Sequence, residues 1–255
     1  MQISNNIILI TGGATGIGLA LAEQFLQNNN EVIICGRRED LLQNAKTKFP
    51  KLHIKQADLS TSKDRKEFAN WLTNNYPNLN ILVNNAGIKR EFSFLDTTVA
   101  EKFDNENEIE TNLIAPIHLT MLLLPELLKK DSSAVINISS GLGFVPISIM
   151  PIYCATKSAI QSFSISLRHQ LKETKLKVFD IAPPIVDTDL DKGARAKRGQ
   201  TGKGISAITV ADETLKAMQN NKFEIGVGKV KILKVASKIA PKLFLKIMNK
   251  TANKN

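Results

Sequence analysis

Cysteine is nearly missing from this chain: Cys35 and Cys154 are the only two among 255 residues. Two thiols provide neither a disulfide framework nor a metal-ligand spacing, so a reducing compartment and no metal site are expected. Long hydrophobic runs are missing too. The nearest, Leu113 to Leu128, is interrupted by His118 and Glu126 and falls short of the roughly eighteen apolar residues that mark a membrane span. Only six residues precede the first strand-like run, Ile7 to Ile10, too few for a signal or transit peptide, so a soluble, cytoplasmic protein is expected. Histidine occurs three times, as His53, His118 and His169, and each is expected to be a polar helix or strand residue, not a catalytic one. Acidic side chains are absent from the last segment. Lys229 to Asn255 holds eight lysines, no arginine and no acid. The formal net charge of +10 therefore leaves only +2 on the other 228 residues. With no basic-aromatic patch on that body, nucleic acid is not an expected partner.

What is present is an ordinary globular composition, 43% apolar and 23% charged, in a length that suits one large α/β domain. Apolar strand-like runs at Ile7–Thr11, Val32–Cys35, His53–Ala57, Leu79–Val83, Ala134–Ser139, Lys177–Ile181 and Phe223–Val227 alternate with helical patterns. The helices fall at Ile17–Asn29, from Arg38 to before Pro50, and at Lys63–Asn75, with two longer ones near Asn107–Lys129 and Ile152–Glu173. That alternation predicts a doubly wound parallel sheet of about seven strands, a Rossmann fold, with helices on both faces. The body is expected to occupy residues 1–228, with a glycine-containing loop at about 187–207, and a basic tail to follow at 229–255. No internal repeat is present.

Two motifs carry chemistry. Thr11-Gly12-Gly13-Ala14-Thr15-Gly16-Ile17-Gly18 lies between a strand and a helix. Glycines there permit positive φ and close backbone approach, and a pyrophosphate rests on the N–H groups and positive end of the helix. At the other end of the domain, Tyr153 and Lys157 are four apart, on one face of a helix. An ammonium beside a phenol favours the phenolate and lowers a pKa that is normally about 10. Such a tyrosine can give or take a proton near neutral pH.

Together with Asn84-Asn85-Ala86-Gly87 after the fourth strand, these motifs resemble the short-chain dehydrogenase/reductase family from about Ile7 to Thr188. The resemblance implies a catalytic group of Asn112, Ser140, Tyr153 and Lys157, acting on a carbonyl or secondary alcohol by hydride exchange with nicotinamide. Tyr153 is then the acid and base. Lys157 lowers its pKa and holds the nicotinamide ribose, Ser140 donates to the substrate oxygen, and Asn112 holds a water in the proton path. Ser139 is adjacent, but thirteen residues from Ser140 to Tyr153 is the family's spacing, and strand alternation turns Ser139 the other way. Family members that prefer NAD(H) place an acid after the second strand. Here Gly36 is followed by Arg37 and Arg38, and an arginine suits a 2′-phosphate. NADP(H) is therefore expected over NAD(H), held by Gly12, Thr15, Gly16, Ile17, Gly18, Arg37, Arg38, Asp58, Leu59, Asn85, Ala86, Gly87, Tyr153, Lys157, Pro183, Ile185 and Thr188.

The chain departs from the family at Pro183-Pro184-Ile185-Val186-Asp187-Thr188, where Pro-Gly is usual. The second proline removes an N–H and stiffens the segment. With Asn85-Ala86-Gly87-Ile88 and Arg90, it resembles the DltE-type branch associated with teichoic-acid D-alanylation operons. Gly141 to Pro151 is apolar for a connection. It either lines a pocket for a partly apolar substrate or closes the core or a subunit contact. Lysines recur every fourth residue from Lys234 to Lys254, with Ile232, Val235, Ala236, Ile239, Leu243 and Ile247 between them, and Pro241 begins a second short helix. Packing of this tail on the body or on a second subunit is favoured over peripheral contact with an anionic membrane. By analogy with the family, the two long helices pair in a homodimer or homotetramer. The competing function class is a non-catalytic nucleotide-binding regulator, or a membrane-associated protein, built on the same scaffold.

Overall fold

The computed structural model describes residues 1–91, 93–98, 108–188, 190 and 204–252. Seven parallel strands form one sheet: β1 (Ile7–Thr11), β2 (Glu31–Gly36), β3 (His53–Gln56), β4 (Ile81–Asn84), β5 (Ser133–Ile138), β6 (Leu176–Ala182) and β7 (Glu224–Gly226), in the order β3-β2-β1-β4-β5-β6-β7. The inner strands are mainly apolar because both of their faces are covered, with Asn137 in β5 and Lys177 and Asp180 in β6 as interruptions. Alternate residues divide between the two sides. Ile8, Ile10, Ile34, Val83 and Ile136 pack beneath α1 (Gly16–Gln27), α2 (Glu39–Lys48) and α6 (Ala207–Gln219). Leu9, Ile33, Leu82, Val135 and Val178 pack beneath α3 (Ser62–Asn75), α4 (Ala115–Leu128) and Leu167 of α5 (Pro151–Gln170). The strand order reverses between β1 and β4, and the carboxyl ends there flank the crevice in which such sheets bind ligands.

Two elements differ from the sequence expectation. The helix expected near Asn107–Lys129 begins as a π-helical turn, Glu110–Ile114, and continues as α4 with Pro125 inside it. Together these make a 19-residue helix, Glu110–Leu128, of mean hydropathy 1.4, long and apolar enough to cross a membrane by length and composition. Its Leu119, Leu123 and Leu127 are buried against the sheet. The helix α6 has no counterpart in the sequence expectation, although Val210, Ala211, Thr214, Leu215 and Met218 have helical spacing and are all buried. Ser206 caps it, accepting from the Thr209 N–H at 3.1 Å. In the tail, α7 (Val230–Ile239) and α8 (Pro241–Ala252) meet at Pro241, which opens the second helix.

Of the loop expected at about 187–207, Asp189 and residues 191–203, with the cations Arg195, Lys197, Arg198 and Lys203, lie outside the described residues. Its ends are joined: Val186 bridges Ile205 in parallel register, and the Asp187 N–H donates to the Ile205 carbonyl at 2.9 Å.

Candidate active site

The glycine turn is fixed from three directions. Gly12 and Gly16 adopt φ of +63° and +56°, a region closed to most side chains. A Cβ on Gly12 would lie 2.9 Å from Ala86 Cα, and one on Gly18 would lie 2.4 Å from the Gly12 carbonyl oxygen. The N–H groups of Gly12 and Gly13 donate to the Cys35 carbonyl at 2.8 and 3.3 Å, which ties the turn to β2. From the residue after β4, the Asn85 side-chain amide donates to the carbonyls of Thr11 and Gly12 at 2.9 and 3.1 Å. The Thr11 hydroxyl accepts from the N–H groups of Asn85 and Ala86, both at 3.0 Å, and donates to the Val83 carbonyl at 3.3 Å. Thr15 precedes α1 in extended conformation, and its side chain caps nothing in the helix. Ile17 in the first turn of α1 is half-buried and leans on the core. The γ-methyl of Thr188 lies 3.1 Å from where a Gly16 Cβ would be, which brings the segment after β6 over the turn.

Gly36, at the end of β2, has no atom within 4 Å of where its Cβ would be, so the space beside it is open. Arg37 and Arg38 follow, both exposed. Arg37 and Asp58 line one surface hollow together with Phe68 and Trp71. The Arg37 carbonyl is held by Gln56 at 2.9 Å, and an Asp58 carboxylate oxygen accepts from the Ser60 N–H at 3.0 Å. Leu59 is buried, and its carbonyl accepts from Arg65 at 2.7 Å.

Arg65 is a residue that sequence reasoning missed. It is 2% exposed and engages three partners: the Leu59 carbonyl, Glu110 at 2.7 Å and His118 Nδ1 at 3.0 Å. It thereby links the segment at the end of β3 to the π turn that carries Asn112. His118 accepts this bond only when neutral, and burial together with the Arg65 and Lys66 charges holds its pKa below the ordinary 6.5.

The four residues expected to do chemistry converge at the carboxyl ends of β4 and β5. Asn112 is buried in the π turn. Its amide bonds Ile88 twice, accepting from the N–H and donating to the carbonyl, each at 2.8 Å, and it reaches Thr156 Oγ1 at 3.4 Å. Its side chain therefore fixes the loop after β4 in the first instance. A Cβ on Gly87 would lie 3.3 Å from Asn112 Oδ1 and 3.7 Å from Lys157 Nζ. Lys157 is buried on α5, donates to the Ile138 carbonyl at 2.9 Å and stands 5.6 Å from the Tyr153 ring centre. Burial pushes its pKa down from 10.5 to about 8, against the opposing pull of the Asp180 and Glu108 charges.

Ser140 and Ser139 face opposite ways. The Ser140 hydroxyl accepts from the Leu142 N–H at 3.2 Å, capping the short turn Gly141–Gly143. The Ser139 hydroxyl donates to the Ile181 carbonyl at 3.3 Å and accepts from Gln161 at 3.4 Å. Gln161 also donates to the Ser140 carbonyl at 2.9 Å, so α5 supports the serine as well as carrying the tyrosine and lysine.

Tyr153 is 8% exposed and packs with Ile147, Met150 and Cys154, so part of the apolar loop closes a small core around the tyrosine. Leu142 and Ile149 lie half-buried against that core. The Cys154 thiol is raised in pKa by burial, and Cys35 is pushed up to about 12 for the same reason, so burial holds both as neutral thiols packed in the fold. After β6, the Pro183 carbonyl accepts from the Gly141 N–H at 3.0 Å, and the Ile185 carbonyl accepts from the Ile205 N–H at 3.0 Å, with Ile185 itself exposed. His53 pairs with Glu31 at 3.4 Å on the outer strand, away from this site. Among the described residues no cluster of metal-ligating side chains occurs.

Residues 6–199 match the short chain dehydrogenase family. The chain is 44% identical over 253 residues to the uncharacterized oxidoreductase DltE of Bacillus subtilis (strain 168), covering 99% of this chain and 100% of that one. It is 32% identical over 212 residues to the NADP-dependent 3-hydroxy acid dehydrogenase YdfG of Escherichia coli (strain K12), covering 81% and 85% respectively. A short chain dehydrogenase/reductase from Burkholderia phymatum in complex with NAD superposes with a TM-score of 0.83 at 19% identity, over 95% of this chain and 96% of that one. The closed form of serine dehydrogenase complexed with NADP+ gives a TM-score of 0.75 at 29% identity, over 83% and 88%. A glycine turn at the sheet's switch point, a tyrosine and lysine one helical turn apart beside a strand-end serine, and near-full-length identity to DltE make this chain an oxidoreductase of the short-chain dehydrogenase family, in the DltE branch.

Proposed function

We propose that the protein is an NADP(H)-dependent oxidoreductase that interconverts a carbonyl and a secondary alcohol, with Tyr153 as its acid and base. The observation that carries this is the meeting of Asn112, Ser140, Tyr153 and Lys157 at the strand ends next to the glycine turn. The chain's features fit the dinucleotide. The turn has no room for a Cβ at Gly12 or Gly18, α1 begins at Gly16 with no side-chain cap on its first turn, and the space beside Gly36 is open. Gly12, Thr15, Gly16, Ile17 and Gly18 hold the pyrophosphate, and Asp58 and Leu59 the adenine. Asn85, Ala86 and Gly87 border the ribose, and Pro183, Ile185 and Thr188 the nicotinamide side. Arg37, with Arg38 beside it, takes the 2′-phosphate. The NADP named for YdfG and for serine dehydrogenase supports this choice.

When bound, the cofactor supplies or accepts the hydride. Tyr153 delivers the proton to the carbonyl oxygen, or removes it from the alcohol in the reverse direction. Ser140 donates a hydrogen bond to that oxygen as charge develops on it. Lys157, as the ammonium, favours the phenolate and returns the proton through the polar groups around Asn112. Leu142 and Ile149 suit a partly apolar substrate. The chemistry belongs to the body, residues 1–228. Its helices α4 and α5 leave Met121 and Ile165 exposed, which favours pairing of these helices between two subunits. Two free, buried cysteines accord with a reducing, cytoplasmic setting.

Tyr153→Phe tests the mechanism. The variant should keep the thermal stabilisation given by NADPH, about 2.7 kcal/mol at a hundred times the dissociation constant, while turnover in a carbonyl and alcohol screen disappears. Turnover retained by the variant removes the tyrosine from the chemistry.

A further inference from the structure

The tail packs on the body with one side only. Val230 is buried, and a Cβ on Gly141 would lie 2.8 Å from its side chain. Lys231 pairs with Glu213 at 2.8 Å, and Lys234 with Glu224 at 2.6 Å. Further along, the Asn249 side chain accepts from the Ser148 N–H at 2.6 Å and donates to the Pro146 carbonyl at 3.1 Å, while Met248 packs on the cluster around Tyr153. The other side faces solvent. Ile232, Val235 and Ile239 on α7 are 71%, 58% and 79% exposed, and Leu243 and Ile247 on α8 are 54% and 46% exposed. Scattered surface leucines are ordinary, but this is an apolar row along two consecutive helices. Lys238, Lys242, Lys246 and Lys250 accompany it, and none makes an ion pair among the described residues.

We propose that α7 and α8 form a docking surface for an anionic lipid bilayer. The occupant follows from charge. The segment from Lys229 to Asn255 contains eight lysines and no acid, and the nearby carboxylates Glu213 and Glu224 are already paired. A two-fold contact between copies of this face would set lysines against lysines. Phosphate headgroups neutralise the lysines, and the acyl boundary receives Ile232, Val235 and Ile239, as for an interfacial amphipathic helix. Asn249 fastens α8 to the loop at 146–148, so docking holds that side of the active site at the lipid surface.

The test is co-sedimentation of the full chain with vesicles of phosphatidylcholine alone and of phosphatidylcholine mixed with phosphatidylglycerol, in low and high salt. Binding should require the anionic lipid and weaken in high salt. A variant carrying Lys238→Gln, Lys242→Gln, Lys246→Gln and Lys250→Gln should bind several hundred-fold more weakly, at roughly five-fold per lysine. A second variant, Ile232→Ser, Val235→Ser and Ile239→Ser, should also lose binding. Both change exposed side chains, and their unfolding temperatures report that the fold is kept. No binding to the mixed vesicles, or equal binding by the lysine variant, overturns the proposal. So does a serine variant that dissociates an oligomer in light scattering while the native chain ignores vesicles, because the face is then a subunit contact. None of these readouts depends on turnover, so failure here is separable from failure of the catalytic reading.

Discussion

Thr11→Val isolates one oxygen on which the glycine turn depends. The Thr11 hydroxyl is the acceptor for two consecutive backbone N–H groups, Asn85 and Ala86, and donates to the Val83 carbonyl from a residue that is 2% exposed. Valine keeps the branched shape and the strand preference but leaves both N–H groups without a partner. A buried donor left unsatisfied costs about 1–3 kcal/mol. Asn85 and Ala86 are half-buried, so water can offset part of the loss, and about 2–4 kcal/mol is expected for the pair. At roughly 2–4 °C per kcal/mol for a chain of this size, the unfolding temperature should fall by about 4–16 °C. Thr11→Ser keeps the oxygen and loses one methyl, about 0.8 kcal/mol, so it should stay within a few degrees of the native protein. Calorimetry of the three proteins gives the comparison, and hydrogen exchange at the Asn85 and Ala86 amides gives a local readout. If valine and serine variants unfold together with unchanged exchange at these amides, the hydroxyl does not hold the turn and the account of the cofactor loop is wrong.

Arg37→Ala should weaken NADPH roughly 10- to 150-fold, from the loss of charge-assisted bonds of about 1.5–3 kcal/mol, and leave NADH unchanged. Gly36→Asp, which has open space for its side chain, should reverse the preference. Titration calorimetry with both nucleotides checks this, and equal losses for both would place the 2′-phosphate elsewhere. The Lys157 pKa, lowered to about 8 by burial, also fixes a sign. Between about 8 and the ordinary 10.5 the unfolded chain binds more protons than the folded one, so stability rises with pH across that window. The native protein should therefore gain in unfolding temperature on Lys157→Met from pH 8 to pH 10, and a constant gap would mean that the lysine is not desolvated.

The sheet was legible because the inner strands are short, mainly apolar runs bounded by turn residues, and because their alternate residues feed two separate cores. The helix α6 was less so. Its first turn reads Ala207-Ile208-Thr209-Val210, where β-branched residues dilute helix propensity. The stop signals after Gln219 and the Ser206 cap were present, but they gain weight only once Val210, Leu215 and Met218 have a sheet to cover. The π turn at Glu110–Ile114 was not legible at all. Glu110-Thr111-Asn112-Leu113-Ile114 carries no residue that separates a π turn from an α-helical one, and in the fold this turn holds Asn112 against Ile88.

For the site itself, the legible part was the part with local spacing: the glycines within one turn, and the tyrosine and lysine within another. Arg65 shows where that stops. Its sequence surroundings, Lys63-Asp64-Arg65-Lys66-Glu67, are those of a solvated helix, and its neighbours Lys63 and Glu67 are indeed exposed. The same helix turns the arginine inward, where its partners come from residues 59, 110 and 118. A guanidinium in water and one with three partners inside the fold have the same one-letter code. What distinguishes them is the packing of α3 against α4, which brings the end of β3 and the π turn within reach of one side chain. On the proposed reading the motifs locate the chemistry, and contacts of this kind, distant in sequence, hold the motifs in place.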